Sequence, residues 1–231
     1  MRFSVTKILV LTGILTIGLS TAAIAAPAHV RVRGTVSSID ATTLVIHTAG
    51  GDESVSLTSN THFLEVKKAK LSNITPGSFI GTATKSVGSM MVALEVVVFP
   101  PAMKGTGEGH YAWDKIKDTT LGGASETSSS MTNGSVAAIA PTPSASVNSS
   151  MTNGSISTMA SDGGAQQLTV TYKGGSQTII VPPTAPIVTF VPGAMADVTP
   201  GQTVFVNGMT DGQTVTANAV AVGVDGATPP M

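Results

Sequence analysis

The sequence predicts an all-β protein made of two similar small barrels. Three observations carry that prediction. β-branched and apolar residues alternate with period two over short segments, Gly, Pro, Asn and Asp punctuate those segments, and the whole pattern recurs. Sliding the sequence by 124 positions lays residues 44–98 on 168–222 without a gap. "LVIHTAGG" at 44–51 then falls on "LTVTYKGG", and "NITPG" at 73–77 falls on "DVTPG" at 197–201. Upstream, "GTVSSID" from Gly34 matches "GSISTMA" from Gly154 once four extra residues are allowed in the second copy.

Each copy reads as five strands. In the first they are expected near 30–38, 42–48, 52–58, 78–85 and 90–99. In the second they are expected near 153–159, 167–173, 176–182, 202–209 and 213–223. Gly50-Gly51 and Gly174-Gly175 supply hairpin turns between the second and third strands, and Asp211-Gly212 does so between the fourth and fifth. Pro76-Gly77 and Pro200-Gly201 make the turns that launch the fourth strands. In the fifth strand the matched apolar positions change parity between 93 and 96, which predicts a β-bulge near Leu94-Glu95. Three strands, a longer connection and two more strands is an OB-like layout. The first connection, "NTHFLEVKKAKLSN", has room for a short helix; the second, "PTAPIVTFVPGAMA", is too rich in proline. A small open β-sandwich is the competing fold.

The remaining segments fix compartment and organisation. Arg2 and Lys7 precede an apolar run, Ile8–Leu19, and "STAAIAA" follows, the pattern of an export signal cleaved after Ala25. The run is shorter than the ~20 residues of a membrane span. The expected organisation is a signal peptide at 1–25, a first OB-like domain at 26–99 and an aromatic, charged clasp segment at 100–118. A Ser/Thr/Gly-rich flexible linker at 119–152, a second OB-like domain at 153–224 and a tail at 225–231 complete it. Within the linker "SSMTNGSV" at 129–136 recurs as "SSMTNGSI" at 149–156. The sequence contains no cysteine, which excludes disulfides, thiolate metal sites, a cysteine nucleophile and a lipidated N-terminal cysteine. Without Arg2 and Lys7, ten basic residues face thirteen acidic ones, so nucleic acid is not an expected partner. Lys67, Lys68 and Lys70 form a short basic cluster read as a solvated face.

The strings "GTGEGHYAWD" (105–114), "MTNGS", "VPPTAPIVTF" and the terminal "PPM" carry a family resemblance. The chain resembles a family of exported bacterial proteins with tandem copies of a small β-barrel domain of unknown function, over roughly residues 30–231. Relatives sometimes carry the label of metal-transporter permease, which a chain with one short apolar run does not support. The resemblance implies the tandem architecture and no mechanism.

"GTGEGHYAWD" concentrates the candidate chemistry. It holds the single tryptophan, one of two tyrosines and one of four histidines. Ligand-binding candidates are Glu108, His110, Tyr111, Trp113 and Asp114. Glu108, His110 and Asp114 offer a nitrogen and oxygen set for a divalent metal, with three glycines to let the backbone wrap an ion. Tyr111 and Trp113 offer flat faces for a glycan or an extended peptide. "GTGEG" lacks the Lys-Ser/Thr of a phosphate loop. A Glu-x-His pair can do acid–base work, yet no nucleophile motif accompanies it, so a hydrolase is the last alternative. The structural alternative is a clasp: two aromatic side chains packed on a barrel, with Asp114 beside Lys115 and Glu108 near Lys104 satisfying charge at its edge. His29, His47 and His62 are scattered and read as ordinary histidines. The expectation is therefore an exported, soluble, periplasmic or secreted, non-enzymatic protein that binds or organises a glycan, a peptide or an envelope protein. It needs no cofactor; a metal-handling accessory and a purely structural envelope protein are the alternatives.

Overall fold

A computed structural model describes residues 26–120, 125–142 and 164–230. The expected signal peptide, the strand expected at 153–159, the second "SSMTNGS" copy and Met231 lie outside the described residues. The described residues are all-β. They form β1 (Ala28–Ile39), β2 (Thr43–Thr48), β3 (Gly51–Ser56), β4 (His62–Lys68), β5 (Phe79–Val87), β6 (Met90–Val98) and β7 (Gly109–Lys117). β8 (Glu126–Pro141), β9 (Gln166–Tyr172), β10 (Gly175–Val181), β11 (Ile187–Pro192), β12 (Thr203–Thr210) and β13 (Val215–Gly223) follow. Short 3-10 turns at Leu71–Asn73, Pro101–Met103 and Met195–Asp197 are the helical content of these residues. None of their helices is long and apolar enough to cross a membrane.

Strand pairing closes two rings. In the first, β1 pairs with β2, β2 with β3, β3 in parallel with β13, β13 with β12, and β12 with β1. In the second, β8 pairs with β9, β9 with β10, β10 in parallel with β6, β6 with β5, and β5 with β8. The first ring therefore combines β1–β3 with β12 and β13 from far along the chain, and the second combines β5 and β6 with β8–β10. The expectation that 26–99 and 153–224 each enclose their own interior is corrected. One core mixes Leu44, Ile46 and Val55 with Val206, Val220 and Val222. The other mixes Ile80 and Val96 with Leu168, Val170 and Ile179. Each such side chain, fully buried, stabilises by roughly 1.5–3 kcal/mol, so neither interior is complete without both parts of the chain.

The physical cause lies in the two connections read as loops. His62–Lys68 and Ile187–Pro192 are extended strands, and the helix allowed for the first connection is reduced to the 3-10 turn after it. β4 leaves the first ring alongside β13, β11 leaves the second alongside β6, and the two meet antiparallel with Val66 opposite Phe190. Val66, Val97, Val188 and Ala221 form a third, smaller core at this seam. Both connections thus deliver the next strand to the opposite ring.

A second correction concerns the linker. Residues 126–141 are not a flexible spacer but the longest strand, β8, with Met131, Thr132, Asn133, Gly134 and Val136 buried. "GSVAAIA" at 134–140 occupies in the second ring the place that "GTVSSID" occupies in the first. A Cβ on Gly34 would lie 2.1 Å from the His47 carbonyl oxygen, and one on Gly134 2.3 Å from that of Thr171. Only glycine lets the backbones approach this closely. The bulge expected at Leu94-Glu95 is present: Ala83 faces Glu95, Thr84 faces Ala93, and Leu94 is skipped. β13 skips Asn218 in the same way.

Candidate functional site

β7 stands off the main strand order and pairs with β8. It runs along the first half of β8, with Gly109 opposite Asn133 and Lys117 opposite Glu126. The turn before it is built by glycine. Gly105, Gly107 and Gly109 have φ of +90°, +57° and +147°, backbone that other residues adopt only at a cost. The turn wraps a side chain: the Asn133 amide donates to the carbonyls of Thr106 (3.3 Å) and Gly107 (3.1 Å) and to the Tyr111 hydroxyl (3.3 Å). Two strings of the sequence signature, "MTNGS" and "GTGEGHYAWD", thus meet at Asn133.

The five candidates in this segment diverge. Glu108 accepts the backbone N–H of Lys173 at 3.0 Å, and does not pair with Lys104. His110 Nδ1 lies 2.8 Å from the Thr132 hydroxyl, with its ring stacked on Tyr172. Tyr111 is partly exposed and its hydroxyl donates to the Gly107 carbonyl at 3.2 Å. Trp113, like Ile116, packs on Met131 and Ala83, with the Arg31 guanidinium 4.0 Å above its ring. Asp114 crosses to β1 instead of pairing with Lys115. It accepts two bonds from Arg31 (2.9 and 2.7 Å) and one from Arg33 (2.8 Å). Those bonds, Arg31's foremost, hold its carboxyl down to about 2 despite partial burial. The same pairing raises the Arg31 guanidinium. Glu108, His110 and Asp114 are therefore not brought together. Among the described residues no group of three or more His, Asp or Glu side chains is placed to hold a metal ion. What the segment does is join the rings: β7 belongs by pairing to the second, and Asp114 and Trp113 grip β1 of the first.

A buried ion pair anchors the far end of β7. Lys85 Nζ donates to Asp118 Oδ2 at 2.7 Å and to the Thr120 hydroxyl at 2.6 Å. Burial pushes Asp118 up, but the bonds from Lys85 and Thr120 outweigh it and leave the carboxyl below its usual range.

Beside this seam opens a cavity of about 850 Å³. Residues 182–188, the stretch 226–230, the exit of β4 and the end of β7 form its walls. The walls are mostly apolar, with Pro183, Ile187 and Pro229 among them. Its cations are Arg33, Lys68, Lys70, Lys115 and Lys117, and its carboxylates Glu95 and Glu126. Five of the chain's twelve basic residues but two of its thirteen acidic ones line one space. Lys68, Lys70, Lys115 and Lys117 make no ion pair among the described residues, whereas Lys67 is paired with Glu65 at 2.9 Å. Sequence reasoning missed this site because its basic residues come from three distant segments. Lys68 and Lys70, read as a solvated face, are its nearest signal.

Comparison with protein-family models, with curated proteins and with solved structures finds no match to this chain.

Proposed function

We propose that this chain is an exported, non-enzymatic binding module whose ligand site is the cavity between its two rings. The observation that carries the reading is that cavity: about 850 Å³, largely apolar, with five basic residues among its lining. Small-molecule sites fall in the range of roughly 300–1,000 Å³ and combine apolar walls with a few placed polar groups. The ring order first-second-third-fifth-fourth, with third and fifth parallel, supports two OB-like barrels formed by exchange of strands between tandem repeats. On this reading the family resemblance holds, and "GTGEGHYAWD" is the clasp that fixes the cavity's geometry. The metal-accessory alternative loses its support, since Glu108, His110 and Asp114 are turned to separate partners. Export follows from residues 1–25, with Ala26 as the first mature residue.

The test is a thermal-shift screen of the protein recovered from the producing cells, against small anions, amphiphiles, oligosaccharides and divalent metals. A ligand that binds only the native form raises the melting temperature by mass action. Stabilisation abolished by cavity substitutions and retained in His110→Ala supports the reading. A metal response abolished by His110→Ala defeats it. Mass measurement of the exported protein checks the cleavage site.

A further inference from the structure

We infer that the ligand is a small amphipathic anion: an apolar body carrying one carboxylate or phosphate head. The inference rests on the proposed reading of the cavity as a ligand site.

Charge comes first. The chain carries a net charge of −1, yet the cavity lining counts five cations against two carboxylates. Lys115 and Lys117 stand two apart on one strand, and Lys68 and Lys70 flank Ala69 at the exit of another. Alternate residues of an extended segment point the same way, roughly 6–7 Å apart, so two lysine pairs reach one space from two elements. Without an ion pair among the described residues, their ammonium groups remain available to a ligand. Lysine ammonium is a compact point charge that suits a phosphate or carboxylate without demanding planar geometry. Arg33 is different: its Nη2 is committed to Asp114, and it steadies the rim.

The body of the ligand follows from the walls. Two proline-containing segments, 182–186 and 226–230, face the cavity with Ile187, Val188 and Leu71. Prolines present rigid apolar rings and no backbone N–H, so this wall offers contact area with few donors for sugar hydroxyls. A free inorganic ion would leave the wall against water. A neutral lipid would leave the lysines unused. An anion with a hydrocarbon or ring body satisfies both.

The experiment is isothermal titration of the full exported protein with decyl phosphate, decanoate, decanol, inorganic phosphate and a neutral oligosaccharide, each below any micelle concentration. Decyl phosphate or decanoate is expected to bind, and the stronger of the two identifies the head group. Decanol and inorganic phosphate are expected to bind about tenfold more weakly or worse. Raising sodium chloride from about 50 to about 500 mM is expected to weaken the anions and leave decanol unchanged. Lys68→Gln/Lys115→Gln, two surface substitutions, is expected to weaken the anions about tenfold at unchanged melting temperature. Ile187→Gln, on the wall, is expected to weaken decyl phosphate, decanoate and decanol alike. Decanol binding as tightly as decyl phosphate overturns the inference, as does an unchanged anion affinity in the lysine variant. Binding of the oligosaccharide alone sinks the anion and leaves the cavity reading standing. Silence from every compound here and in the thermal screen sinks both.

Discussion

Asp114 accepts three hydrogen bonds from Arg31 and Arg33, more than eighty residues away in sequence, and is the ionic link from β7 to β1. Its carboxyl titrates near 2, below the ordinary value of 3.8. A carboxylate depressed on folding adds stability above its unfolded value, and that stability is lost as pH falls through the folded one. Asp114→Asn is therefore expected to lower stability by about 1–2 kcal/mol at pH 7, allowing for partial exposure. Below pH ~4 the difference from the parent should shrink, and it should close as pH falls through about 2. Urea unfolding at pH 7 and near pH 2 checks both; a gap as large near pH 2 as at pH 7 contradicts the assignment.

Lys85 and Asp118 are a buried pair, their side chains 15% and 5% exposed. Removing the cation leaves a carboxylate with burial pushing it up and its main counter-charge gone. Lys85→Met is expected to destabilise by about 3–5 kcal/mol at neutral pH. The loss should narrow on acidification, once Asp118 is protonated and no charge is buried. A double variant, Lys85→Met/Asp118→Leu, should recover much of the loss in equilibrium unfolding.

Backbone approach at Gly134 gives a steric prediction. A Cβ there would sit 2.3 Å from the Thr171 carbonyl oxygen, whereas one on Gly50 would meet nothing nearer than 3.7 Å. Gly134→Ala is expected to cost about 2–4 kcal/mol or prevent folding, and Gly50→Ala to stay within about 0.5 kcal/mol of the parent. Thermal melts of the two variants decide it. An undisturbed Gly134→Ala removes β8 from its place beside β9.

Strand exchange is testable by cross-linking, because the chain has no cysteine of its own. Thr35 of β1 and Thr203 of β12 are cross-strand partners from opposite sequence copies. Antiparallel partners have Cα atoms about 4.5–5.5 Å apart, within disulfide reach. Thr35→Cys/Thr203→Cys is expected to oxidise to an intramolecular bridge in a monomer, seen by mass and by size-exclusion chromatography. Free thiols in a folded, monomeric protein refute the pairing.

Most strands were legible because their side chains report one buried face. Leu44 and Ile46, Val204 and Val206, and Val215 and Ala217 follow the alternation, and the parity change at Leu94 announced its bulge. Partner choice was not legible. Val96 and Val220 hold equivalent positions, so the pattern fits a ring closed by either, and the extended path through Val66 and Phe190 decides between them. β8 was hidden by composition: Ser, Thr, Asn and Gly read as linker, yet Thr132 and Asn133 are buried and bonded to the β7 segment. Of the decapeptide, the aromatic content marked the segment, but not that it forms strand β7 beside β8. Its ionic partners were not, since Arg31 and Arg33 lie on a strand brought close only by the fold.

The opposition of Val66 and Phe190 places like beside like, as at the contact of a symmetric dimer. Either half of the chain alone would have to find its missing strands on another molecule, and its folding would depend on concentration. With both halves in one polypeptide, each finds the other at a fixed effective concentration. Assembly then no longer responds to dilution.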